Sequence, residues 1–308
     1  MEKNTKFNLS GRRQFLTNVG VLAGASMISG LPAVSLAKSL AGSATATLTV
    51  KQVIDLALSE NESVLAKSVD LLRVGNPDQV VTGIVTTMFP TIEVINKTMK
   101  AGANMIISHE APYYNIDDNA ARLKDSDVVK YKSELLAKNN IAIWRFHDNF
   151  HAHKPDGITW GNLVKLGWEK YYNPINPRML TLPKSMTLGA VIALAKKKLG
   201  APEVRVLGGL NQPVKTVYLA FGSILSAEQI PAIQREKPDL VLSGEAREWE
   251  TCQRIQDGLA MGLNTKLIVL GHAVSEEAGM DYAATWLAPK VKGVKVTYIA
   301  SGTPFQYV

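Results

Sequence analysis

The 308-residue sequence predicts an α/β protein, two related α/β domains with mostly parallel or mixed sheets preceded by a signal segment. Three observations carry this expectation. Short apolar runs alternate with stretches of helical periodicity, the pattern of strands covered by helices. The order of those segments occurs twice along the chain, as a duplicated unit would produce. The composition, 46% apolar and 20% charged, is that of a globular protein with a sizeable core and excludes disordered, collagen-like and coiled-coil chains. The length suits about two domains of roughly 100–200 residues. We place the signal at 1–37, the first domain at 48–180 and the second at 181–308, with the C-terminal strands free to pack back on the first.

The signal is read from Arg12-Arg13, with Phe15-Leu16 just beyond, followed by an uncharged apolar run over 19–31 and the small-x-small sequence Ser35-Leu36-Ala37. The run is too short for the ~30 Å hydrocarbon core, so a stable membrane span is not expected. Ala44-Thr45-Ala46 is a second candidate cleavage site. A twin-arginine signal implies passage through the matching export machinery as a folded chain and a periplasmic or otherwise exported location. The single cysteine, Cys252, excludes an internal disulfide framework and a Cys-rich zinc module. The net charge of +7 does not imply nucleic acid, because no Lys/Arg cluster is interleaved with aromatics. Lys196-Lys197-Lys198 suits the C-terminal turn of an amphipathic helix.

In the first half, 48–59 has helical spacing, 80–86 reads as a buried strand, and 91–101 as a helix entered after Pro90. Gly102-Ala103-Asn104 then turns into the strand 105–107, which ends in Ser108-His109-Glu110. The second half repeats the order: strand 217–221, a helix over 226–235 capped by Ser226, and strand 240–242 ending in Ser243-Gly244-Glu245. The strand 141–144 runs into His147, with His151 four residues on; 267–270 runs into His272, with Glu276 four residues on. Gly208-Gly209 lacks the flanking pattern of a dinucleotide fingerprint and reads as a turn.

Ligands of such sheets gather beyond the carboxyl ends of the strands, where the histidines fall. His109, His147, His151 and His272 sit at or just after apolar strands, beside Glu110 and Glu276. His153 reads as an exposed residue before the turn Lys154-Pro155-Asp156-Gly157. Imidazole with carboxylate is a ligand set for zinc, manganese or iron. His272 and Glu276 lie one turn apart if a helix begins there, so both face one way. More than three mixed ligands suggest two metals.

From about residue 49 to 304 the chain resembles the NIF-three-like dinuclear-metal family, long labelled type 2 GTP cyclohydrolase I. The matching stretches are 101–109 (AGANMIISH), Asp156-Gly157-Ile158 with Leu163 and Leu166-Gly167, Ser243-Gly244-Glu245, and Gly271-His272 with Glu276. The resemblance implies two interlinked α/β domains, a toroidal homohexamer and two divalent metal ions per subunit. It carries His109, His272 and Glu276 over as ligands. Glu110 stands where the family has a second histidine, and His151 where it has an aspartate, so the ligand charge is preserved.

Two metals about 3.5–4 Å apart can share a water, lower its pKa and clamp a polar bond. The expected function is therefore a metal-dependent hydrolase of an unidentified small molecule, with a metal-bound hydroxide as nucleophile. His109, Glu110, His151, His272 and Glu276 would be ligands, His147 a sixth ligand or an orienter, and Glu245 the catalytic proton shuttle. The other reading is a non-catalytic metal-dependent binding or scaffold protein.

Overall fold

The computed structural model describes residues 47–59, 64–115 and 120–308; the twin-arginine segment lies outside them. In chain order the elements are α1 (Val50–Leu58), β1 (Leu72–Val74), β2 (Ile84–Thr87), α2 (Ile92–Lys100), β3 (Met105–Ser108), α3 (Asp127–Lys138), β4 (Ala142–Arg145), α4 (Asp148–His151) and α5 (Gly157–Leu166). They continue as β5 (Met179–Thr187), α6 (Leu188–Leu199), β6 (Arg205–Leu207), β7 (Pro213–Ala220), α7 (Ser226–Glu236), β8 (Leu240–Ser243), α8 (Gln253–Ala260), β9 (Lys266–Val269), α9 (His272–Leu287) and β10 (Val296–Tyr298).

Two five-stranded mixed sheets form, in the orders β1-β4-β3-β2-β10 and β5-β7-β8-β9-β6. In each, three consecutive strands are parallel, β2-β3-β4 and β7-β8-β9, and the strand preceding the trio in sequence returns antiparallel to its last member. The duplication read from the sequence is thus a duplication of topology. Strand-end hydrogen bonds match as well. Ser108 Oγ donates to the Glu110 carbonyl (2.8 Å) and Ser243 Oγ to the Glu245 carbonyl (2.6 Å). The amides of Phe146 and Leu270 donate to the carbonyls of Ser108 and Ser243. That register pairs His147 with Gly271, so the two spacings of four, His147 to His151 and His272 to Glu276, are one residue out of step.

Strands β2, β3, β4, β8 and β9 are buried on both faces, as their nearly continuous apolar sequences require. On the outer face of the first sheet, Val85, Ile106 and Ile143 pack with Val94 and Ile95 of α2 and Leu136 of α3. On the outer face of the second, Val241, Leu267 and Val269 meet Ile233 of α7 and Ile255 of α8. The inner faces share two helices. α5 gives Ile158 to the first core and Leu163 and Leu166 to the second, while α9 gives Val274 to the second and Met280, Ala283 and Leu287 to the first. β10 closes the linkage by pairing parallel to β2.

Local chemistry explains the helix starts. Thr49 and Gln52 form a capping box on α1, and Thr91, Ser126, Asp156 and Thr187 cap α2, α3, α5 and α6. The three lysines occupy the last turn of α6. Ser226 differs from expectation. It is the first helical residue of α7, the cap is Leu225 without a side-chain bond, and the Ser226 hydroxyl accepts from Thr251 (3.0 Å).

α5 and α9 touch where both carry glycine. A Cβ on Gly279 would stand 2.6 Å from Ile158 Cα, and one on Gly161 would strike the Ala278 carbonyl. Backbones this close leave no room for a methyl group. Gly279→Val is therefore expected to lower the unfolding free energy by roughly 1–3 kcal/mol through overpacking. Urea unfolding followed by circular dichroism measures this, and an unchanged midpoint would contradict the close crossing.

Candidate metal centre

All six expected ligand positions converge beyond the carboxyl ends of the parallel strands. β3 runs into His109 and Glu110; β4 runs through Arg145 into His147; α4 carries His151; and α9 begins at His272 with Glu276 one turn on. His109, His147 and His151 form one group whose ligand atoms lie within 4.8 Å of one another, and Glu110, His272 and Glu276 form a second. The two groups are joined by carboxylates. Glu276 Oε2 lies 3.1 Å from His272 Nε2 and 3.5 Å from His109 Nε2, and its Oε1 lies 4.0 Å from His151 Nε2. Glu110 Oε1 stands 3.5 Å from His272 Nε2 and 3.8 Å from His147 Nε2. The rings of His109 and His147 stack with centroids 4.3 Å apart.

Each imidazole is held by its other nitrogen. Nδ1 of His109 faces the Phe146 carbonyl (3.2 Å), and Nδ1 of His147, His151 and His272 face the carboxylates of Asp148 (2.9 Å), Asp156 (3.0 Å) and Glu245 (2.9 Å). A carbonyl or ionised carboxylate only accepts, so each Nδ1 carries the proton and each Nε2 points into the cluster. Imidazoles that bind metals are oriented by partners of this kind. His109 adds a direct sign of fit. Its ring is fully buried, and its Nε2 has no hydrogen-bond partner among the described residues. A buried nitrogen with its lone pair aimed at carboxylates is costly unless a cation or proton fills the gap.

Sequence reasoning missed the residues that position the ligands. Asp70 accepts from the backbone N–H groups of His147, Asp148 and Asn149 at 2.8 Å each, fixing the start of α4 from 77 to 79 residues away. Arg145, nearly buried, donates to Glu110 Oε2 at 2.7 Å, which leaves Oε1 facing the histidines. Asp156 both caps α5 and holds His151, and its place in Asp-Gly-Ile was the signal available for it. Gly222 lets the β7 end pass Glu276, because a Cβ there would collide with the carboxylate. His153 corrects the exposed reading: its ring is half-buried against Phe146, Phe150 and Trp286. Glu245 meets the cluster through His272 Nδ1, the position of an orienting group.

Electrostatics follow from this packing. Burial opposes charge on His272, but hydrogen bonds to Glu245 and Glu276 and the charges of Glu276 and Glu110 outweigh it, pushing its pKa up to about 10. For His151, burial is likewise overcome, mainly by Asp156, and the pKa rises to about 9. His109 goes the other way: burial, then the neighbouring imidazoles, hold it well below the usual value. The hydrogen bond from His272 keeps the Glu245 carboxyl below its ordinary range. Without a cation, protons on His272 and His151 neutralise the carboxylates.

Two mixed sheets with a buried histidine–carboxylate cluster at the strand ends define an α/β protein with residues able to hold metal ions. The family model Duf34/NIF3 (NGG1p interacting factor 3) matches residues 49–304, and the chain belongs to this family. A Clostridium perfringens protein described as a GTP cyclohydrolase 1 type 2 homolog is 26% identical over 214 residues, 67% of this chain and 77% of that protein. Among solved structures, a Bacillus cereus protein related to NIF3 shares the fold at 18% identity with a TM-score of 0.67, covering 85% of this chain and 99% of its own. A Staphylococcus aureus protein does so at 21% identity and a TM-score of 0.66, with the same coverage.

The raised pKa values predict how metal-free protein responds to pH. A group with a folded pKa above its unfolded value of about 6.5 contributes stability that is full below that value and lost as pH rises through the folded pKa. Chelator-treated protein should therefore lose melting temperature between about pH 6.5 and pH 10, and added divalent metal should restore it while releasing protons. A melting temperature flat across that range would contradict the proton-bridged cluster.

Proposed function

We propose that the chain binds two divalent metal ions, zinc, manganese or iron, and is a metal-dependent hydrolase of a small polar substrate. The observation that carries this reading is the inward convergence of four anchored Nε2 atoms on two carboxylates, with His109 Nε2 lacking a hydrogen-bond partner among the described residues. His109, His147 and His151 would hold one ion, and His272, Glu110 and Glu276 the other, with Glu276 reaching toward both groups. Bound there, the ions would supply Lewis acidity toward a substrate bond and toward water.

The chain's own residues do the rest. Asp148, Asp156, Glu245 and the Phe146 carbonyl hold the imidazoles in their tautomers. Arg145 balances Glu110 and aims its free oxygen. Glu245, half exposed, accepts from His272 Nδ1 and keeps the proton there, and its solvent-facing carboxylate is the group we assign to proton exchange between the site and solvent. Export by the twin-arginine route is supported by Arg12-Arg13 and the apolar run that follows; no helix among the described residues is long and apolar enough to cross a membrane.

Metal analysis of purified protein, followed by a chromogenic phosphoester and amide panel, tests the reading. We expect two equivalents of metal, turnover abolished by His272→Ala, and at least one equivalent lost in Glu276→Gln. Less than one equivalent in the unmutated chain would sink the reading, and full occupancy with no turnover would leave a metal-dependent binding protein. A second measurement isolates the orienting groups. Glu245→Ala and Asp156→Asn should each weaken metal affinity roughly 10–100-fold. Unchanged affinity in both would show that the carboxylates behind the imidazoles do not matter.

A further inference from the structure

Two cavities meet at His272, and their linings differ in charge. The one containing the cluster carries four carboxylates, Glu110, Asp156, Glu228 and Glu276, against one arginine, Arg178. The other, about 650 Å³, also borders His272 and carries Arg205 and Arg247 with Phe89, Phe305 and Tyr307. Among the described residues of this second lining the only carboxylate is Glu245, which is engaged with His272. The arginines form ion pairs with Glu248 (2.9 Å) and Glu250 (3.3 Å). Exposed pairs of this kind are weak and exchange readily for another anion.

The apolar groups point to the rest of the ligand. Phe89 sets its ring edge-on to His272, with centroids 5.9 Å apart, so an aromatic surface borders the cluster directly. Phe305 is 71% exposed and Tyr307 48%, two rings left open at one cavity. The starts of α7 and α9 line the same space, and neither has a side-chain cap, a feature they share with α4 and α8. Their first-turn N–H groups add positive potential to that of the arginines.

We propose that this cavity is the substrate pocket and that it takes an aromatic oxyanion: a planar ring against Phe89, Phe305 and Tyr307, its phosphate or carboxylate held by Arg205 and Arg247. The proposal deepens the hydrolase reading and rests on it for the word substrate. Ligand binding itself can be measured without turnover. The basic lining draws the anion in, and the shared His272 places the ligand beside the cluster.

The test is calorimetric titration of the full chain, metal-loaded and chelated, with phenylphosphonate, benzoate and cyclohexylphosphonate, and metal content measured in every sample. We expect phenylphosphonate or benzoate to bind, and whichever is tighter identifies the oxyanion. The phenyl compound should bind roughly 2–10-fold better than its cyclohexyl counterpart, an advantage lost in Phe305→Ala with Tyr307→Ala. Arg205→Gln with Arg247→Gln should weaken binding roughly 10–100-fold at unchanged metal content. Failure of both aromatic probes to bind, or binding indifferent to both double variants, overturns the proposal. Chain that takes up less than one equivalent of metal in the metal-loaded arm yet binds the probes with these dependences would instead overturn the hydrolase reading and leave the pocket standing.

Discussion

Glu276 sits only 3% exposed, with its carboxylate oxygens within 3.1–4.0 Å of three imidazoles from separate parts of the chain. A carboxylate so desolvated must be balanced by positive charge, and the surrounding structure reads as the means of bringing that charge to it. Gly222 gives way to it, His272 is held one turn earlier on the same helix, and β3, β4 and α4 deliver the remaining rings. Protons serve as the counter-charge when no cation is present, which is why His272 and His151 hold them so firmly. A site of this kind exchanges one positive species for another without leaving the carboxylate bare.

The duplicated fold explains how such a site is assembled from short, local pieces. Each half ends its parallel strands in the same turn, with a serine hydroxyl closing on the glutamate carbonyl, so Glu110 and Glu245 occupy equivalent positions. Their roles have diverged. Glu110 faces the cluster because Arg145 pins its other oxygen, and the residue paired with Arg145 in the second half is Val269, which cannot do this. Glu245 is left half exposed behind His272. The crossing of α5 and α9 sets the two halves at the distance the cluster needs, since the same α9 that gives Glu276 to the site gives Met280 and Leu287 to the first core.

Much of the architecture was legible because buried parallel strands must be apolar and their ends polar. The runs 105–107, 141–144, 240–242 and 267–270 all proved to be strands within a residue or so of their observed limits. Short or edge elements such as β1, β6 and β10 carry too few apolar residues to stand out, and their places follow from pairing. Ser226 misled because a serine before a periodic stretch looks the same whether it caps the helix or opens it. His153 misled because its neighbours form a turn while its ring is packed by Trp286 from far along the chain.

By itself the sequence determined the residue types and where along each strand they fall: histidines and acids at strand ends, with His272 and Glu276 one helical turn apart. Those are local properties, dictated by burial pattern and helix periodicity. Only the tertiary structure decided which nitrogen of each imidazole faces inward, that Asp70, Asp148 and Asp156 hold the rings, and that Arg145 turns Glu110. Hydrogen-bond partners separated by tens of residues leave no periodic trace, because nothing in chain spacing encodes a contact that exists only after two sheets have packed around shared helices.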